Sequence, residues 1–183
     1  MKLRVPHEDE LMWCIGPPPR SSLVKMLGDN SPADKAVSLY RERFSETGIY
    51  ESTIYEGIVE TLAALIHHNR QLFVATSKLQ TFAKRIVVNF NLAPYFEGVF
   101  GAGMDGTRAD KTEPLKHALD IGRVDPARAV MVGDRSCDII GARNNGIPAL
   151  GVLYGYGSKE ELTGPHKCSD GGYAARGARY PRV

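Results

Sequence analysis

The sequence predicts an α/β fold in which helices cover a parallel sheet, with a small all-helical segment in front of it. Two observations support this prediction. Up to about Tyr50 the apolar residues recur only at helical spacing, and after Tyr50 short continuous apolar runs alternate with amphipathic helical stretches. Strands that are apolar on both faces are typical of a parallel sheet with helices on both sides.

Residues 1–50 are predicted to form short helices, which we call the cap. A short helical stretch covers 8–14, and a second covers 21–27 and ends at Gly28, a residue type that commonly terminates helices. Ser31-Pro32 predicts the start of a longer helix, because serine is a frequent helix cap and proline suits the first turn. We therefore expect a partial helical cap here.

Residues 51–162 are predicted to form the α/β core. The predicted strands are the apolar runs 72–75, 98–101, 129–132 and 149–153. Between them, apolar residues three and four positions apart predict helices. Residues 166–170 could begin a last short strand, but residues 171–183 show no apolar periodicity, so we expect residues 163–183 to form an irregular or disordered basic tail.

Composition is that of an ordinary globular protein. Of the 183 residues, 43% are hydrophobic and 24% are charged. No apolar run approaches the roughly 20 residues that span a bilayer. Three cysteines are too few for a disulfide scaffold, which favours a reducing compartment. We therefore expect a cytoplasmic protein without a membrane partner.

The net charge of +2 arises from the tail. Residues 163–183 hold four basic residues and one acidic residue, so residues 1–162 carry a net charge of −1. Domains that bind nucleic acid usually present a strongly basic face. We therefore expect no nucleic-acid partner.

Polar residues follow the predicted strands at positions that suit a phosphate and a magnesium ion. Thr76 and Ser77 follow the first strand, Asp134 and Asp138 follow the third, and Lys111 lies between them. Hydroxyl and N–H groups bind phosphate oxygens, lysine neutralises phosphoryl charge, and carboxylates bind magnesium. Because ligands bind at the carboxyl ends of strands in open parallel sheets, we expect these side chains to lie close together.

Each of these residues also has a purely structural interpretation. Thr76 and Ser77 could cap a helix, Lys111 could be a solvated surface lysine, and Asp134 could cap the helix that follows the third strand. The order of all three motifs along an α/β chain favours the functional interpretation.

In these motifs the sequence resembles the haloacid-dehalogenase-like superfamily of phosphatases, and in particular its phosphoglycolate-phosphatase-like branch. The segment 74–78 is similar to the second family motif, Lys111 to the third, and 132–138 to the fourth. The resemblance implies a Rossmannoid three-layer α/β/α parallel sheet with a small N-terminal α-helical cap.

The resemblance also implies site roles. Thr76 and Lys111 would be catalytic, Ser77 would bind the substrate, and a Mg²⁺ cofactor would be held by Asp134 with support from Asp138. Arg20 lies in a segment that resembles the part of the cap that closes over the substrate, and Arg108 follows the second strand. Both arginines are expected to bind the substrate.

One family motif has no counterpart in the sequence. The resemblance calls for an apolar strand followed by Asp-x-Asp-x-Thr/Val before the cap, and its first aspartate is the nucleophile. The segment 103–107 resembles the second half of this motif, but Gly103 takes the nucleophile's place, and we interpret the segment as a loop. We therefore expect a sheet that lacks its first, central strand and so has either a gap or an abnormal pairing that closes it. A frameshifted or truncated coding sequence would explain this.

The expected function is that of a Mg²⁺-dependent phosphatase of a small phosphorylated metabolite, similar to phosphoglycolate phosphatase. Without the first motif, activity is expected to be impaired. The alternatives are a 5′-nucleotidase-like specificity and a non-catalytic remnant that binds phosphate. The sequence leaves the substrate and the oligomeric state open.

Overall fold

The cap consists of two helices flanked by short helical turns. The computed structural model describes residues 6–28 and 32–164, apart from the side chain of residue 8. A 3₁₀ turn at Glu8–Cys14 precedes helices α1 (Pro19–Leu27) and α2 (Ala33–Arg43), which pack against each other. A π-helical turn at Phe44–Gly48 follows. The serine cap that we expected at Ser31 lies outside the described residues.

Helices and strands alternate after the cap, as the sequence predicts. In chain order they are α3 (Ile58–His67), β1 (Phe73–Leu79), α4 (Gln80–Asn89), β2 (Gly98–Ala102), α5 (Thr112–Gly122), β3 (Met131–Gly133), α6 (Ser136–Asn144), β4 (Ala149–Gly151) and α7 (Lys159–Thr163). Short 3₁₀ turns at Ala93–Tyr95 and Pro126–Arg128 precede β2 and β3.

The four strands form two separate parallel pairs. β1 pairs with β2, with Val74 opposite Val99, and β3 pairs with β4, with Val132 opposite Leu150. In the described part of the chain no ladder joins one pair to the other. This is the gap in the sheet that the sequence predicts.

A small buried cluster packs across the two strand pairs on their helical side. Leu115 of α5, Ala142 of α6 and Ile147 form its centre, and Ala75 of β1 and Met131 of β3 pack against it. Fully burying an aliphatic side chain of this size stabilises a fold by about 1.5–3 kcal/mol. Packing of α5 and α6 therefore holds together two strand pairs that share no backbone ladder.

Apolar residues elsewhere in the core stay open to solvent. Val130, Val132 and Leu153, in or beside β3 and β4, are 59%, 49% and 61% exposed, and α3 contains no fully buried residue. Within the described ranges, the α/β arrangement that the sequence predicts therefore leaves part of β3 and β4 open to solvent, because little packs against these side chains.

The first strand is longer than predicted. β1 continues through Thr76, Ser77 and Lys78 to Leu79, and α4 begins at the next residue. Pairing with β2 is interrupted after Ala75 and resumes at Leu79 opposite Ala102. The hydroxyl-bearing residues that we placed just beyond the strand therefore lie in an irregular extended segment at its end.

Two expectations concern the membrane and the tail. No helix within residues 6–28 and 32–164 has the length and apolar character needed to cross a bilayer. Thr163, which we assigned to the tail, is the last residue of α7, and the tail from residue 165 onward lies outside the described residues.

Candidate active site

Lys111, at the start of α5, contacts both β1 and the helix that follows β3. Its Nζ donates a hydrogen bond to the carbonyl oxygen of Ala75 in β1, 3.0 Å away. The same ammonium pairs with Oδ1 of Asp138 in α6 at 2.8 Å, and the side chains of Lys111 and Asp138 are 14% and 5% exposed. The interpretation of Lys111 as a solvated surface lysine is therefore wrong.

Asp138 holds the turn that follows β3. Its Oδ2 accepts hydrogen bonds from the backbone N–H groups of Asp134 (3.1 Å) and Arg135 (3.0 Å). A side chain at Gly133 would overlap the Asp138 carboxylate, so this position requires glycine. Asp138 thus fixes both Lys111 and the backbone that carries Asp134.

Asp134 is enclosed by the loop after β4. Its Oδ2 accepts a hydrogen bond from the N–H of Tyr156 at 2.8 Å. A methyl group at Gly155 would overlap the Asp134 carboxylate, and one at Gly157 would overlap the Asp134 carbonyl oxygen. Because these two glycines have no side chains, the backbone of this loop can lie directly against Asp134.

The donor set suits a magnesium ion bound through one carboxylate. Both oxygens of Asp138 already have protein donors, whereas Asp134 receives one at Oδ2. No group of three or more His, Cys, Asp or Glu side chains that could hold a metal occurs in the described part of the chain. Magnesium commonly binds through one or two carboxylates, with water and substrate phosphate completing its shell. Asp134 is the residue that fits this role, and a supporting role for Asp138 stays a prediction.

Thr76 and Ser77 follow the carbonyl group that Lys111 binds. The hydroxyl of Thr76 accepts a hydrogen bond from the N–H of Lys78 at 3.2 Å, which leaves its own proton available for a ligand. Ser77 lines a cleft of about 650 Å³ between the cap and the core. Lys111 is thus brought to Asp138 and to the strand residue that precedes Thr76, and phosphate binding by the two hydroxyls stays a prediction.

The two predicted arginines are engaged by protein groups. Arg20 lines the cleft, and its Nε donates to Oδ1 of Asp34 at 2.9 Å. Arg108 adopts a left-handed backbone conformation, and its Nε donates to the carbonyl oxygen of Gly101 at 3.2 Å. Arg108 does not line the cleft. Substrate binding by these arginines stays a prediction.

Arg135 connects the site to the cap and to α7. Its Nε donates to Oε1 of Glu161 at 2.9 Å, and its guanidinium also donates to the carbonyl oxygen of Ile15 in the cap. The N–H of Ser136 donates to the same Glu161 oxygen at 2.8 Å. Burial would raise the pKa of Glu161, but these hydrogen bonds outweigh it and lower that pKa.

This network was missed by the sequence analysis. The position of Arg135, directly after the candidate metal ligand Asp134, was the one feature of the sequence that could have pointed to this network. Its partners lie 120 and 26 positions away along the chain, and such pairings depend on tertiary structure.

Comparison with known proteins agrees with this geometry. The profile of haloacid dehalogenase-like hydrolases matches residues 1–152. A predicted phosphatase from Clostridium acetobutylicum superposes with a TM-score of 0.84 at 36% identity, covering 87% of this chain and 74% of that one.

Curated relatives carry several names. The chain is 41% identical over 160 residues to a 5′-nucleotidase from Pseudomonas aeruginosa, covering 85% of this chain and 72% of the relative. It is 39% identical over 153 residues to tyrosine-protein kinase PtkA from Mycobacterium tuberculosis, covering 84% of this chain and 52% of the kinase. It is 32% identical over 146 residues to a phosphoglycolate phosphatase from Cupriavidus necator, covering 80% of this chain and 58% of that relative. The chain thus spans little more than half the length of the last two.

The family profile covers most of the chain, and the 5′-nucleotidase relative is matched over more than two thirds of its length. The chain belongs to the haloacid dehalogenase-like hydrolases, in their phosphoglycolate-phosphatase-like group.

Proposed function

We propose that this chain binds the phosphoryl group of a small phosphorylated metabolite beside Thr76, Ser77 and Lys111. The supporting observation is the position of the Lys111 ammonium, 3.0 Å from the carbonyl oxygen of Ala75, the residue before Thr76. A fixed cation and two hydroxyls at one strand end match the charge and the acceptor oxygens of a phosphate.

Each residue has a stated part in this proposal. Lys111 neutralises phosphoryl charge, and Asp138 holds its ammonium at 2.8 Å. The Thr76 hydroxyl donates to a phosphoryl oxygen while it accepts the Lys78 N–H. Asp134 would hold Mg²⁺ through its carboxylate. When bound, Mg²⁺ neutralises and orients the phosphate.

The proposed substrate is an organic phosphate monoester of the phosphoglycolate type. Support comes from the relatives named phosphoglycolate phosphatase, and the relative named 5′-nucleotidase supports a nucleotide as the alternative. The proposed location is the cytoplasm, where such metabolites occur.

We propose that residues 1–183 alone turn over phosphate esters slowly, if at all. The sequence contains no counterpart of the Asp-x-Asp-x-Thr/Val motif that would supply the aspartate nucleophile. Asp134 and Asp138 are instead held by backbone donors and by Lys111. A non-catalytic phosphate-binding module is therefore the second candidate function.

An assay with p-nitrophenyl phosphate and Mg²⁺ separates the two candidates. Wild type and Lys111→Ala are compared at equal concentration, and phosphate binding is followed in parallel by ³¹P NMR. We expect Lys111-dependent binding with very little turnover. Rapid turnover that Lys111→Ala abolishes would contradict slow catalysis, and the absence of phosphate binding would contradict the proposed site.

A further inference from the structure

The cleft between the cap and the core begins where the candidate phosphate site ends. Ser77 and Lys78 line it from β1, and Arg20, Tyr40 and Arg41 line it from the cap. Its volume of about 650 Å³ is in the usual range for small-ligand pockets. A ligand whose phosphate lies beside Ser77 would therefore extend into this cleft.

The acidic residues of the cleft mostly have partners already. Asp34 pairs with Arg20, Asp105 accepts the N–H and hydroxyl of Thr107, and Asp110 accepts two N–H groups at the start of α5. Glu113, in the first turn of α5, is the remaining acidic residue of the lining.

Two cations of the lining differ from Arg20. Among the residues that the structure describes, neither Lys78 nor Arg41 forms an ion pair, whereas Arg20 is neutralised by Asp34 at 2.9 Å. The cleft lining as a whole contains three cations and four carboxylates, a net charge of −1, but in the described part of the chain none of these carboxylates lies within ion-pair distance of Lys78.

Lys78 is the more constrained of these two cations. Its Nζ lies 4.4 Å from the centre of the Phe44 ring in the π-helical turn of the cap, a cation–π contact. Burial lowers the pKa of this ammonium, and no neighbouring charge offsets the effect. Keeping a partly buried cation without a carboxylate partner destabilises the protein, so a role in ligand binding is the natural explanation.

We propose that Lys78 is a specificity residue that binds a second anionic group of the substrate, a carboxylate or a second phosphoryl group. The inference rests on the proposed function, since it needs a phosphate held beside Thr76 and Lys111. Thr76 and Lys78 are joined by the 3.2 Å hydrogen bond between the Lys78 N–H and the Thr76 hydroxyl. Two residues of strand span about 7 Å, which suits a compact ligand with an anion at each end.

The Phe44 contact gives Lys78 a second property. Because the aromatic face belongs to the cap and the lysine belongs to the core, the position of the ammonium depends on how the cap sits over the core. The position in which Lys78 meets a second anionic group of the ligand would thus depend on how the cap sits over the core.

The test uses ligands that differ only in the second charge. Phosphoglycolate and ethyl phosphate share a two-carbon skeleton and a phosphate, but only phosphoglycolate carries a carboxylate. The bisphosphate of ethylene glycol supplies a second phosphoryl group instead. Calorimetry in the presence of Mg²⁺ measures the affinity of wild type, Lys78→Met and Lys78→Arg for each of the three ligands.

Wild type is expected to prefer both doubly anionic ligands over ethyl phosphate by roughly tenfold or more, the usual effect of one charge-assisted hydrogen bond. Lys78→Met should abolish this preference, and Lys78→Arg should retain most of it. The two doubly anionic ligands show whether carboxylate or phosphate is preferred. Lys78→Met should melt no lower than wild type, because it removes a buried charge.

Three results would overturn the inference. One is a wild type that binds ethyl phosphate as well as phosphoglycolate. Another is a Lys78→Met variant that keeps the preference. The third is a variant that melts several degrees lower and loses all ligands equally, which would assign Lys78 a structural role. Failure of wild type to bind any phosphate ester is different, because it would overturn the proposed function as well.

Discussion

Lys111 and Asp138 form a nearly buried ion pair, 2.8 Å long, that joins the start of α5 to α6. Through the Ala75 carbonyl the same lysine also binds β1. The site is therefore held by one lysine that contacts β1 of one strand pair and the helix that follows β3 of the other pair. Stability and phosphate binding should depend on the same two side chains.

Replacing only one member of the Lys111–Asp138 ion pair should strongly destabilise the protein. Lys111→Met leaves Asp138 buried with one oxygen unpaired, and such changes typically cost about 3–5 kcal/mol. In the double variant Lys111→Met/Asp138→Asn the loss should be smaller than the sum of the two single losses, with a coupling of about 0.5–3 kcal/mol. Urea unfolding of the four proteins measures it, and strictly additive losses would show that the pair is not coupled.

The loop that encloses Asp134 should tolerate no side chain at Gly157. In Gly157→Ala the new methyl overlaps the Asp134 carbonyl oxygen, so the loop or Asp134 must move. We expect phosphate affinity in the presence of Mg²⁺ to fall by roughly tenfold or more, since small displacements of a binding group have effects of this order. The matched control is Gly146→Ala, where the backbone is left-handed but no atom lies within 4 Å. Equal affinities for the two variants would contradict this account.

Acid should weaken the connection between Arg135 and Glu161. The pKa of Glu161 is lowered from its ordinary value of 4.5, so its stabilising effect is present above pH 4.5 and is lost as the pH falls through the lowered value. Glu161→Gln should therefore be less stable than wild type at pH 7, by roughly 1.5–3 kcal/mol, with the difference shrinking in acid.

Unfolding free energies at a series of pH values measure this difference. Glu60→Gln, at an exposed position of α3, serves as the control and should differ little from wild type at any pH. A stability gap between wild type and Glu161→Gln that stays constant down to pH 2 would count against the ion pair.

Hydrogen exchange should distinguish α5 from α3. Amides of α5, which carries the buried residues Pro114, Leu115 and Ala118, should be protected, and those of α3, which buries no residue, should exchange early. Strong protection throughout both strand pairs and α3 in a monomer would contradict a gap in the sheet.

The alternation of strands and helices and the positions of the candidate site residues could be predicted because their signals are local. Apolar runs marked the four strands, and the hydroxyls, Lys111 and the Gly-Asp turn stood at strand ends in the expected order. The ion pair of Lys111 with Asp138 follows from that order once α5 and α6 pack side by side.

Other features depend on tertiary contacts that leave no local trace. The pairing of Arg20 with Asp34, for example, forms only when α1 and α2 pack. The predicted first strand ended at Ala75, yet β1 continues to Leu79 and carries Lys78 to the face of Phe44. The exposure of Val132 could not be read from its apolar run, because burial depends on what packs against the strand.

Phosphate binding at Lys111 tests the central claim most directly. Inorganic phosphate is titrated into wild type, Lys111→Met and Thr76→Val with Mg²⁺ present, and binding is followed by ³¹P NMR. The account predicts saturable binding by wild type that Lys111→Met abolishes and Thr76→Val weakens, each protein being measured at a temperature at which circular dichroism shows it to be folded. Undiminished binding by folded Lys111→Met would contradict it.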